Sequence, residues 1–148
     1  MNDHHDLPSA LDHPNDIHTL SDLRRRRPRD LADTLVSRAQ HLLPEDRALI
    51  SAVYQDNLTA IQVAELTSVP ARTVRRRIKA LVERLLSPRF EFVARSRQRW
   101  SPTRRRVAEA CALRGMTLRA AAEDLNVSLH TVRRHMDAVA AQQEALRA

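Results

Sequence analysis

Apolar positions recur along most of this chain at intervals of three and four, the spacing that puts them on one side of a helix. Leu31, Leu35, Ala39 and Leu42 form one such stripe, which predicts a first helix from a cap at Asp30 to Leu43. Pro44, with Glu45 and Asp46 behind it, opens a second helix whose inner face is Leu49, Ala52 and Val53 and which breaks at Asp56-Asn57. Thr59 and Gln62 have capping-box spacing and start a short helix to Thr67, where Ala64 marks the closest crossing with the next helix. The turn is Thr67-Ser68-Val69, with Ser68 expected to take the bend and Val69 to plug the core. A longer helix follows from Ala71 to about Leu86, held inward by Val74, Ile78, Leu81, Val82 and Leu85.

Ser87-Pro88 is a cap and first-turn pair, which predicts a connecting helix to about Arg97 with Phe90, Val93 and Ala94 inside, although the alternation in RFEFVARSR also permits a short extended stretch. Ser101-Pro102 then begins a further set. Val107, Ala110 and Cys111 face inward, Gly115 stops the helix, and a last helix runs to near Leu146.

The second set restates the first. Moving 58 residues along, Thr59, Ala64, Glu65, Val69, Thr73, Val74, Arg75 and Arg76 recur as Thr117, Ala122, Glu123, Val127, Thr131, Val132, Arg133 and Arg134 without a gap. Pro44, Arg47 and Ala52 pair with Pro102, Arg105 and Ala110 at the same offset. A repeated unit of about 35 residues with three helices is the simplest reading. The expected organisation is an acidic, His-rich polar tail over 1–29, a helix-turn-helix unit over 30–86, a connector over 87–101 and a second helix-turn-helix unit over 102–148.

Composition sharpens this into an all-α expectation: one glycine and four aromatics among 148 residues leave little material for sheets or wings. Of 25 basic residues all but Lys79 are arginine, and the net charge is +7. The first 23 residues hold five aspartates and no Lys or Arg, so the remainder carries +12. Such a surplus on a small helical protein points to a polyanion, with double-stranded DNA first. A single cysteine excludes a disulfide framework and a cysteine-based zinc site, and the spacing of His4, His5, His13 and His18 fits no common metal site, so no metal or cofactor is expected. Neither a membrane span nor a signal peptide is visible, which predicts a cytoplasmic, nucleoid-associated protein.

The second helix of each repeated pair carries the candidate chemistry. Arg72, Thr73, Arg75, Arg76 and Lys79 fall on the outer face of the first, and His130, Thr131, Arg133, Arg134 and His135 are presented by the second. Arginine forks match guanine O6 and N7 or bind phosphate, whereas lysine offers a point charge. Arg24 to Arg27 form a further run suited to a minor groove or to phosphates, or to pairing with the acidic tail. Phe90, Phe92 and Trp100 are expected to pack between the units, with base stacking as the alternative. No phosphate-binding glycine loop, carboxylate trio or activated nucleophile is present, so an enzyme is not expected.

The residues LPEDRALI (43–50), LTAIQVAELTSVP (58–70) and TVRRRI (73–78) resemble the fourth region of bacterial sigma factors, especially the extracytoplasmic-function group. The likeness covers about residues 31–86, and the second unit is similar more loosely. It implies a helix-turn-helix domain in which Arg72, Thr73, Arg75 and Arg76 face promoter DNA, and a partner in the RNA polymerase core. Thr67 and Pro70 stand where that family usually has leucine and Ser or Thr. Three functions follow as expectations. The first is a sequence-specific transcription regulator reading the major groove with one or both units. The others are a partial sigma factor docking on RNA polymerase, and the DNA-targeting subunit of a transposase or recombinase.

Overall fold

The computed structural model describes residues 28–148, and all regular structure among them is helical. The tail histidines and the Arg24 to Arg27 run lie outside the described residues. Helix α1 covers 28–38 and tightens into a 3-10 turn at Ala39–His41. Asp30 is therefore inside the helix rather than its cap, because the chain is already helical by residue 28. The predicted stripe holds from Leu35 through Ala39 to Leu42, all buried, while Leu31 stays 43% exposed.

Helices α2 (Pro44–Tyr54), α3 (Ala60–Thr67) and α4 (Ala71–Leu85) follow. Leu49 is buried in α2 as expected, but Ala52 and Val53 are only half-buried, and Ile50 is fully buried instead. Thr59 accepts from the Gln62 amide at 3.2 Å and the Gln62 side chain accepts from the Thr59 amide at 2.9 Å, closing the capping box. Ser68 takes the left-handed conformation at φ 56°. Val69 corrects the expectation: it is 37% exposed and does not plug the core. Val74, Leu81 and Leu85 form the buried face of α4, with Ile78 and Val82 half-buried beside them.

Ser87 caps α5 (Pro88–Ser96), accepting from the Phe90 amide at 3.2 Å, so the connector is helical and not extended. Helix α6 (Pro102–Ala108) runs on as a π-helical segment, Glu109–Leu113. Helices α7 (Leu118–Leu125) and α8 (Leu129–Arg147) complete the chain.

The repeat is present in the backbone as well as in the residues. Pro44 and Pro102, Ala60 and Leu118, Thr67 and Leu125, and Ala71 and Leu129 are helix boundaries 58 positions apart. The four positive-φ residues among those described follow the same offset, Asn57 with Gly115 and Ser68 with Asn126. Even the turn bonds recur: the Leu58 amide donates to Ala52 O, and the Met116 amide to Ala110 O, both at 2.9 Å. Gly115 carries an added requirement, since a Cβ there would collide with the Arg84 guanidinium.

The two repeats share a core. Phe90 and Val93 of α5 are fully buried in one cluster with Leu35, Ile50, Leu81 and Leu85 from one side and Ala108, Leu113 and Val139 from the other. A smaller cluster of Val107, Ala110, Ala121, Ala122 and Val132 lies within the second repeat. Units this short bury too little apolar surface to be stable alone, and fusing their interiors removes that deficit. Polar contacts close the seam: Arg84 Nη1 donates to Leu113 O at 3.2 Å, Trp100 Nε1 to Gln142 Oε1 at 2.7 Å, and Arg97 pairs with Glu109 at 3.2 Å. Arg89 Nε bonds the buried Gln143 Oε1. Phe92 and Trp100 meet at 5.8 Å with their rings tilted by 56° in the same region, so the aromatics serve packing.

Candidate nucleic-acid interface

Helix α4 is built so that one side faces the core and the other is cationic. Arg72, Arg75, Arg76 and Lys79 are spaced i, i+3, i+4 and i+7, which places them on one face, and all four are exposed together with Thr73. None of the four cations makes an ion pair among the described residues. Their neighbour Arg77 behaves differently. It donates from Nε and Nη2 to Asp46 Oδ1 at 3.0 and 2.7 Å, with Glu45 at 3.7 Å, and so clamps α4 to α2. At the helix start Pro70 supplies no side-chain acceptor, so the first-turn amides of α4 have no capping oxygen.

The second repeat keeps the frame and changes the charge. His130, Arg133 and Arg134 are exposed, but Asp137 replaces Lys79 on that face of α8. Thr131 is half-buried, its amide donating to the Ser128 cap at 3.0 Å and its hydroxyl lying 2.8 Å from the Ser128 oxygen. It is tied to its own helix start, unlike Thr73. His135 is also half-buried rather than presented outward. The clamp pair Asp46–Arg77 becomes Arg104 and His135 at the same offset. Sequence reading missed the clamp, which joins two helices across 31 positions.

An apolar groove of about 410 Å³ opens between α2, α3 and α4, lined by Leu49, Ala52, Val63, Leu66, Val69 and Val74 among others. Leu66 is 75% exposed at its edge. The counterpart in the second repeat, bounded by Val107, Leu125 and Val127, holds only about 40 Å³. Thr67 in the first groove corresponds to Leu125 in the second, and Ala48 to Arg106, so the second lining carries the bulkier side chains. The Thr67 hydroxyl turns back to Val63 O at 2.7 Å and leaves the space unfilled.

Two histidines titrate abnormally. Burial, then Arg97, holds His41 below its ordinary range, with Glu109 opposing; burial, then Arg104 and Arg134, does the same to His135. Both imidazoles are therefore neutral in the fold where the unfolded chain would already bind protons. Their stabilising contribution is complete above the ordinary value of about 6.5 and is lost as pH falls below it. The melting temperature is expected to drop between about pH 7.5 and 5.5, and replacing both residues with glutamine should flatten that slope. A flat or rising native profile would contradict the assignment. Burial also raises the Cys111 thiol, with Arg114 opposing, which suits a packing residue rather than a nucleophile.

No group of three or more His, Cys, Asp or Glu residues able to hold a metal ion occurs among the described residues, and none of their helices is long and apolar enough to cross a membrane. No known protein family, curated protein or solved structure matches the chain.

Proposed function

We propose that the chain is a sequence-specific transcription regulator that binds duplex DNA through tandem helix-turn-helix units of the sigma region 4-like kind. The observation that carries this reading is the outer face of α4, where Arg72, Arg75, Arg76 and Lys79 stand exposed and, among the described residues, without an ion pair beside Thr73. Cations left free on a short helix that packs through its opposite side suit a major groove, where arginine forks meet guanine edges and the rest meet phosphates. The uncapped amides after Pro70 add donors for a further phosphate. Each cation that meets a phosphate predicts that log K falls against log salt with a slope of about −0.9. Titration of the full chain onto duplexes selected from a random pool tests this. An affinity that holds steady between about 50 and 200 mM salt, or a pool that yields no shared sequence, overturns it.

A second reading is favoured by the groove beside α3. An apolar channel edged by exposed Leu66 and Val69 is the kind of surface that takes a helix from another protein. On this reading the chain is a partial sigma factor that docks on the RNA polymerase core and reaches DNA within that assembly. Co-purification with polymerase, together with negligible DNA binding by the isolated chain, would select it.

A further inference from the structure

The two repeats differ most sharply in what stands between the first helix of the unit and the helix proposed to read DNA. In the first, the buried Asp46 carboxylate receives two bonds from Arg77, with Glu45 close by. The same three positions in the second repeat are Thr103, Arg104 and His135. Their combined charge changes from −1 to +1 with the imidazole neutral, so an internally closed ion pair has given way to a cation and an imidazole with no carboxylate between them. Arg104 Nε and His135 Nδ1 are both buried with no hydrogen-bond partner among the described residues. A charged guanidinium N–H enclosed without an acceptor is destabilising unless something anionic meets it. Both side chains are half-buried rather than buried, so part of each stays open to an incoming anion. Arg134, which together with Arg104 depresses the His135 imidazole, adds a third basic group, and it is exposed.

We infer that, in the DNA-bound protein, a backbone phosphodiester takes the place between α6 and α8 that the Asp46 carboxylate holds between α2 and α4. This rests on the DNA-binding reading and divides the labour within it. The first repeat keeps the free cations that reach base edges, and the second, with Asp137 and His130 in place of Lys79 and Arg72, grips phosphate.

The test restores the first repeat's chemistry in the second. The double substitution R104D/H135R rebuilds the Asp46–Arg77 pair in an equivalent frame, and R104Q, which removes only the charge, serves as the second variant should the swap not fold. Full-length proteins are titrated onto a selected duplex, with R95A, which also removes one charge, as the control. Both Arg104 variants should bind about ten-fold more weakly than the control, equally on all sequences, with the salt slope reduced by about one. A duplex carrying single neutral methylphosphonate links should show one position at which the native chain loses affinity and the variants do not. Variants indistinguishable from R95A, with no such position, overturn the proposal. If that happens while R75A/R76A still abolishes binding, the phosphate site alone is wrong; a native chain that binds no duplex overturns both.

Discussion

Replacing Arg75 and Arg76 together with alanine is expected to weaken duplex binding by roughly 10² to 10⁴-fold, since each bidentate arginine contact to a base is worth about 1–3 kcal/mol. Both side chains are exposed and make no ion pair among the described residues. Their loss should therefore move stability by only about 0.5 kcal/mol or less. The combination is the discriminating result: an unchanged melting curve beside a collapsed affinity. The neighbouring Arg77 makes an internal contrast, because it spends its guanidinium on Asp46. Full affinity retained by the R75A/R76A protein would remove α4 as the reader. If binding survives only in complex with polymerase, the groove-docking reading gains instead.

The largest effect on stability is expected from Phe90→Ala. Phe90 is the largest fully buried side chain, it lies edge-on to His41 at 6.0 Å, and it belongs to the cluster that joins the two repeats. Truncation of such a residue costs about 3–5 kcal/mol, a large part of the 5–15 kcal/mol typical of a domain this size. Thermal unfolding should shift down by on the order of 10–20 °C and, because the core is common, should remain one transition. Two separated transitions in the variant or the native chain would mean that the repeats unfold independently.

Periodicity made most of the helices legible. The stripe Leu35, Ala39, Leu42 and the inner face of α4 follow from spacing alone, and Thr59 and Ser87 announce helix starts by their hydroxyls. The offset of 58 also carried the boundaries of the second repeat, because residues that set backbone geometry recur with it. Spacing fails where a helix is covered on more than one side. Ile50 sits next to Leu49 in a stripe that admits one of them, yet α2 packs against the 3-10 turn after α1, α3 and α4, so both are buried. Val69 also departs from the pattern: it lines the groove beside Thr67, whose hydroxyl bonds Val63 O. The clamp between Asp46 and Arg77 joins residues 31 apart and depends on the register of two helices, which no local pattern carries. Nothing in the residues Glu109–Leu113 signals their π-helical turn, and its cause is not evident from the packing either.

The fused interior has a consequence for how the duplication can be dissected. Cutting the chain at the connector would bare Leu85, Phe90 and Val93 to water and strip Arg84 of its carbonyl acceptor on Leu113. Half-molecules would thus report on damaged hydrophobic faces rather than on the surfaces proposed to bind DNA. The copies have given up separate existence, and only side-chain substitutions within the intact chain can assign a task to each.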